Sequence, residues 1–243
     1  MHEGNKGLDT ASIPQSDTIT RGTTVIMYSI IFRVDNEYRK RRIKEKLVDY
    51  GFRELAPNVF LSDNWKKSIE VLNDIRGIME YYSARYIIFK RGTKFILTIY
   101  RFPTRSSRRY MNVKRILEKI PVIYFSKGVY ILPSRYGYII SELYKNVGYL
   151  EYFYVEPISK IDEKQLSLMY VEYVNSIIEK LMAKKMMISN RRTALSILKN
   201  ISLLQEKIMD PIIAEIVDQN SIISILKKLG KFKLEVLKKL QNL

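Results

Sequence analysis

Residues 95–133 read FILTIYRFPTRSSRRYMNVKRILEKIPVIYFSKGVYILP. The run Phe95 to Tyr100 is apolar and rich in β-formers, and it ends at Arg101 and a proline turn, Phe102-Pro103. A basic helix is predicted over 107–119, and a short strand, Gly128-Val129-Tyr130-Ile131, follows it. Residues 25–61, VIMYSIIFRVDNEYRKRRIKEKLVDYGFRELAPNVFL, repeat this order. There the apolar run closes on Phe32-Arg33-Val34, the basic helix spans 38–50, and the strand is Asn58-Val59-Phe60-Leu61. Phe32-Arg33-Val34 aligns with Tyr100-Arg101-Phe102, and the two short strands align once the loops of the second copy are allowed slightly more length.

Each copy continues with a second helix, near 64–79 and near 136–146, and a last strand, 84–90 and 149–155. That order is β-α-β-β-α-β, the ferredoxin-like arrangement. The leading strands are apolar almost throughout, as central strands buried on at least one face are. A short linker is expected at Arg91-Gly92-Thr93. From Ser159 onward the pattern is helical, with apolar stripes over 162–185, 190–217 and 221–240, a break at Pro211 and a weak point at Gly230. Residues 1–22 are polar and without period, the pattern of a disordered tail. The expected fold is therefore α+β: two tandem ferredoxin-like units, 23–92 and 93–158, followed by an α-helical region, 159–243.

The chain has 243 residues, 47% of them hydrophobic, which is ample for a packed core. It has no cysteine, so a disulfide framework, a cysteine-ligated zinc or iron–sulfur site and a cysteine nucleophile are excluded. Its one histidine, His2, lies in the polar tail, which removes serine–histidine triads and histidine metal sites. No signal-peptide or membrane-spanning pattern is present, so a cytoplasmic location is expected. Thirty-three isoleucines against six alanines, with many lysines and tyrosines, suggest a thermophilic, archaeal source. The net charge of +17 is uneven: residues 93–160 carry 12 cations and only 4 acids.

Tyr100–Arg135 resembles the N-terminal domain of the chromate-resistance regulator ChrB. Phe102-Pro103, Arg105, Arg108 and Gly128-Val129-Tyr130-Ile131-Leu132-Pro133 carry the likeness, and 161–181 with the basic stretch 190–204 extends it. The same strand–helix–strand pattern occurs in PaaX-type repressors. The first copy, with its YGF and NVFLS segments, is more similar to the small dimeric CRISPR adaptation subunit. These resemblances imply a ferredoxin-like fold and a nucleic-acid partner, DNA before RNA. Neither the winged-helix domain of PaaX-type repressors nor the later ChrB domain is expected within these residues.

Arg39, Arg41, Arg42 and Lys46 crowd the first basic helix, with Lys40 and Lys44 beside them and Glu37, Glu45 and Asp49 as nearby partners. Arg101, Arg105, Arg108, Arg109, Lys114 and Arg115 form the second cluster, with hardly any acid near it. Related by approximate symmetry, the two helices are expected to line one basic face that attracts phosphate without reading sequence. Tyrosines such as Tyr81, Tyr138 and Tyr144 are available to stack on bases. The CRISPR-subunit resemblance points to Asp35, just after the first strand, as a metal-holding carboxylate; as a turn residue it belongs instead to the helix cap.

No phosphate-loop, dinucleotide, zinc-protease or paired-glutamate motif is present, and no cofactor or metal is expected. The leading expectation is a non-enzymatic nucleic-acid-binding protein acting in transcription regulation or as an accessory factor. A metal-dependent nuclease using Asp35 and a dimeric interaction scaffold are the alternatives. The apolar stripes after Asn190 exceed what two small sheets cover, so a homodimer is expected. The three stripes are expected to dock on the sheets or on a second subunit. The alternative for the last, with six lysines between Lys227 and Lys239, is contact with membrane or nucleic acid.

Overall fold

The computed structural model describes residues 28–62, 69–102, 107–186 and 188–243; the tail expected at 1–22 lies outside them. Strand β1 (Tyr28–Arg33) leads into helix α1 (Glu37–Asp49), which starts where the Asn36 side chain accepts the Arg39 N–H at 3.0 Å. Gly51, at φ 74°, turns the chain out of that helix. Strands β2 (Arg53–Ala56) and β3 (Val59–Ser62), helix α2 (Ile69–Tyr81) and strand β4 (Arg85–Arg101) follow. Next come α3 (Ser107–Leu117), β5 (Ile123–Ser126), β6 (Val129–Pro133), a 3-10 turn at Ser134–Tyr136, α4 (Ile139–Tyr144) and β7 (Tyr149–Pro157). The remainder is helical: α5 (Lys160–Lys185), α6 (Arg191–Ile208), α7 (Pro211–Ile216) and α8 (Gln219–Gln241).

The fold is α+β, with one seven-stranded antiparallel sheet followed by a helical region. In the first half the strands lie in the order β2-β3-β1-β4; in the second they lie β5-β6-β4-β7. Strand β4 belongs to both. Its beginning pairs with β1, its end with β6, and β7 runs along it on both sides of an irregularity between Arg91 and Phe95. The linker expected at Arg91-Gly92-Thr93 is thus a bulge inside one continuous strand. Pairing with β7 holds the backbone extended across it. β2 and β5, which the sequence pattern did not single out, complete a hairpin with β3 and with β6.

Three apolar clusters organise the packing. Ile30, Phe32, Phe60 and Ile88 meet α1 and α2 through Ile43, Leu47, Ile75 and Met79. Ile96, Tyr100 and Leu132 meet α3 and α4 through Val113, Ile116, Ile139 and Leu143. The alternate strand residues, among them Ile31, Ile87, Phe89, Phe95, Leu97 and Ile131, join the third cluster with α5, α6, α7 and α8. Both faces of the central strands are buried, which is why β1 and β4 lack a period-2 pattern.

The sheet is folded over. Along flat strands Leu55 would stand level with Ile88, about 40 Å from Arg101, yet the Arg101 guanidinium donates to the Leu55 carbonyl at 2.8 Å. Arg33 likewise donates to the Phe125 carbonyl, with its guanidinium over the Phe125 ring at 5.3 Å. The two halves therefore fold toward each other about the β4 bulge, with α1 and α2 outside one half and α3 and α4 outside the other. Helix α5 starts at Ser159 and is pinned by buried Asp162, which accepts the Ile88 N–H at 2.8 Å and an Arg76 N–H. Pro211 ends the second stripe as expected and opens α7, capped by Asp210. α8 continues helically through Gly230.

Candidate nucleic-acid interface

The cations of α1 are largely engaged. Arg41 and Arg42 lie 3.7 and 2.8 Å from Glu45, Lys46 lies 4.0 Å from Asp49, and Arg39 donates to the Tyr82 carbonyl at 3.5 Å. Lys40 and Lys44 reach Glu37 and Glu54 at 3.1 and 2.6 Å. Hydrogen bonds to Tyr82 first, then to Glu45, raise the pKa of the exposed Arg42 guanidinium above its ordinary value. Glu37, Glu45 and Asp49 lie three or four residues from the cations they meet, on one turn of the helix, while Glu54 and the Tyr82 carbonyl come from outside it. Three helix acids thus offset part of the charge of six helix cations.

Helix α3 differs. Val113, Ile116 and Leu117 face the core, which turns Arg108, Lys114 and Arg115 outward. Lys114 lies 3.7 Å from Glu118. Among the described residues, Arg108 and Arg115 have no carboxylate at ion-pair distance. Seven residues apart, they stand about 10 Å apart along one side of the helix. Arg109 is exposed about a quarter turn away and has a partner of its own.

Between α3 and α4 runs a shallow groove lined by Asn112, Arg115, Ile116, Glu142, Lys145 and Asn146. The Asn112 amide donates to Asn146 Oδ1 at 3.1 Å and fixes the groove floor. Lys145 on the far rim was not among the expected site residues. Nothing local marks it, because its approach to Arg115 comes from the packing of α4 on α3. Tyr110, Tyr138 and Tyr144 are exposed on the elements of this half. Of the other tyrosines named for stacking, Tyr81 is 81% exposed on α2, in the other half.

Arg101 does not stand on this surface as a free cation: it bonds Leu55 and lies over the Tyr149 ring at 5.5 Å, joining the two halves. Arg105 lies outside the described residues. The first and second basic helices pack in different clusters on the outer sides of the two halves, with the shared core between them. The fold-over therefore corrects the expectation that they line one face.

Asp35 is exposed in the turn after β1, and it is Asn36 that caps α1. Among the described residues no group of three or more His, Cys, Asp or Glu side chains converges as a metal site. No protein family model matches the chain, and no curated protein or solved structure matches it either. The likeness to ChrB, PaaX and the CRISPR subunit rests on the quoted residues alone.

Proposed function

We propose that the protein binds nucleic acid through the outer face of α3 and the α3–α4 groove, on a scaffold of two tandem ferredoxin-like units, as a regulator or accessory factor. The observation that carries the reading is the outward pair Arg108 and Arg115. They are guanidinium groups with no carboxylate at ion-pair distance among the described residues, in the most basic part of the chain. A guanidinium offers forked donors that match phosphate oxygens, and Lys114 and Lys145 extend the positive surface. The strand order of each half, with the first strand flanked by the third and the last, supports the scaffold. Exposed tyrosines beside the cations suit unstacked bases as well as duplex backbone. A second copy of the chain is not needed to complete this surface.

The test is salt-titrated binding to a random duplex by the native chain and by Arg108→Gln/Arg109→Gln/Arg115→Gln. The variant should bind more weakly, with the log–log salt slope reduced by about 0.9 for each phosphate contact removed. A folded variant with an unchanged slope overturns the assignment.

A further inference from the structure

A second charged surface lies on the C-terminal helices. α8 turns Ile222, Ile225, Leu229, Phe232 and Val236 into the core. At 100° per residue, the line opposite them is Ile223, Lys227, Lys231, Leu234 and Lys238. All five are exposed, Leu234 by 61% and Ile223 by 48%. The stripe is about 22 Å long and straight. Among the described residues, Lys227 and Lys231 have no carboxylate at ion-pair distance, and the neighbouring acid, Glu235, is taken by Lys185.

The same end of the bundle adds to it. The Lys185–Glu235 pair and the bond from Lys239 to the Lys185 carbonyl bring the end of α8 beside the end of α5, where α6 begins a few residues later. There Arg192, Leu195 and Lys199 are exposed, and Met186 is 82% exposed. Cations alternate with flexible aliphatic side chains, and no aromatic residue is exposed after Tyr173.

We propose that this face docks on an anionic lipid surface, with lysines at the phosphate level and Ile223, Leu234 and Leu195 dipping below it. The chemistry decides against nucleic acid here. A phosphodiester groove rewards arginine forks and stacking rings, which α3 offers and α8 lacks, whereas half-exposed aliphatics among lysines gain only where an apolar layer lies under the charge. Among the described residues no helix is long and apolar enough to cross a membrane, so the contact is peripheral. The core face of α8 stays seated, and the preformed outer face binds without refolding.

The experiment is co-sedimentation of the full chain with vesicles of equal parts phosphatidylserine and phosphatidylcholine, against pure phosphatidylcholine. Binding should require the anionic lipid and weaken with salt. Lys227→Gln/Lys231→Gln/Lys238→Gln should lower it about a hundredfold, near fivefold for each lysine. Ile223→Gln/Leu234→Gln should lower it about tenfold. These positions are exposed, and melting curves confirm that the variants fold. Absence of binding to the anionic vesicles overturns the proposal. So does binding indifferent to the Ile223/Leu234 pair, or lost instead with the α3 arginines. Loss of duplex binding in the lysine variant with vesicle binding intact gives the face to nucleic acid and overturns it too. The α3 variant, tested on DNA, fails or holds independently of all these outcomes.

Discussion

At Gly128 the backbone runs at φ +81°, and a Cβ there would stand 2.4 Å from the Tyr100 carbonyl oxygen. Asn58 holds the same place in the first half at φ 66°. The two carbonyls accept matching bonds, Tyr100 N–H to Gly128 at 2.8 Å and Phe32 N–H to Asn58 at 3.1 Å. Asparagine tolerates this conformation and glycine is free in it, but alanine is neither. Gly128→Ala should destabilise by about 2 kcal/mol or more, while Asn58→Gly should be near neutral, as measured by urea midpoints. Lys207 belongs to the same scale. Its ammonium is half-buried against the Glu118 carbonyl, and burial lowers it from 10.5 to about 8, against the pull of Glu118. The unfolded chain keeps that proton to about 10.5, so between pH 8 and 10 the unfolded state binds more protons and stability rises with pH. Above that, Tyr149 and Tyr173, pushed up to about 12 chiefly by burial, keep protons that the unfolded chain releases near 10, and stability falls. Burial raises Tyr130 and Tyr170 as well, so the urea midpoint should peak between about pH 9 and 10, and Lys207→Met should abolish the rising limb. A flat profile from pH 8 to 10 in the native chain refutes this.

The two basic helices read alike as elements, yet differ in where their charge is spent. Exposed pairs such as Arg42–Glu45 contribute little to stability, but they weaken the field that a phosphate would meet. Arg41→Gln/Arg42→Gln should therefore reduce duplex affinity far less than Arg108→Gln/Arg115→Gln, measured at one salt concentration. Equal losses would put α1 in the interface. The glycines inside helices make a second test. Gly77 in α2 and Gly230 in α8 are helical, and a Cβ on either would meet no atom within 4 Å. Each costs its helix backbone entropy with no steric return, so Gly77→Ala should stabilise the fold by about 0.5–1 kcal/mol. A lower thermal midpoint would reveal a constraint that the helix geometry does not contain.

At the scale of the whole molecule, the third cluster decides the architecture. Of the residues on which a homodimer was expected, Ile197, Ile201, Leu204, Ile208, Ile222, Ile225 and Leu229 are buried within the chain against α5 and the shared face of the sheet, and Ile212 and Leu226 are partly buried against the same cluster. The premise of that expectation, too little surface to cover the stripes, does not hold once the two halves fold together. Removing 186–243 should strip α5 and the inner strands of their cover. The truncated chain should lose its cooperative melt and aggregate in light scattering. A well-folded, soluble truncated form would show that these helices form an independent interaction module.

The sequence by itself determined the helices and the strands other than β2 and β5, and the repeated order of apolar run, basic helix and short strand. The apolar runs, the basic helices, the turn before Val59 and Val129 and the break at Pro211 are local signals, set by side-chain period and backbone freedom. It also separated the acid-rich α1 from the acid-poor α3, since partners three or four residues apart on a helix are written in the chain. Only the tertiary structure decided that one strand runs through residue 92, because β7 supplies the pairing that keeps it extended there. It alone set the two basic helices on opposite outer sides, turned Arg101 into a tie between halves and brought Lys145 to Arg115. Those outcomes depend on how a folded sheet and eight α-helices among the described residues bury both strand faces at once. That choice is made by packing over distances no local pattern encodes.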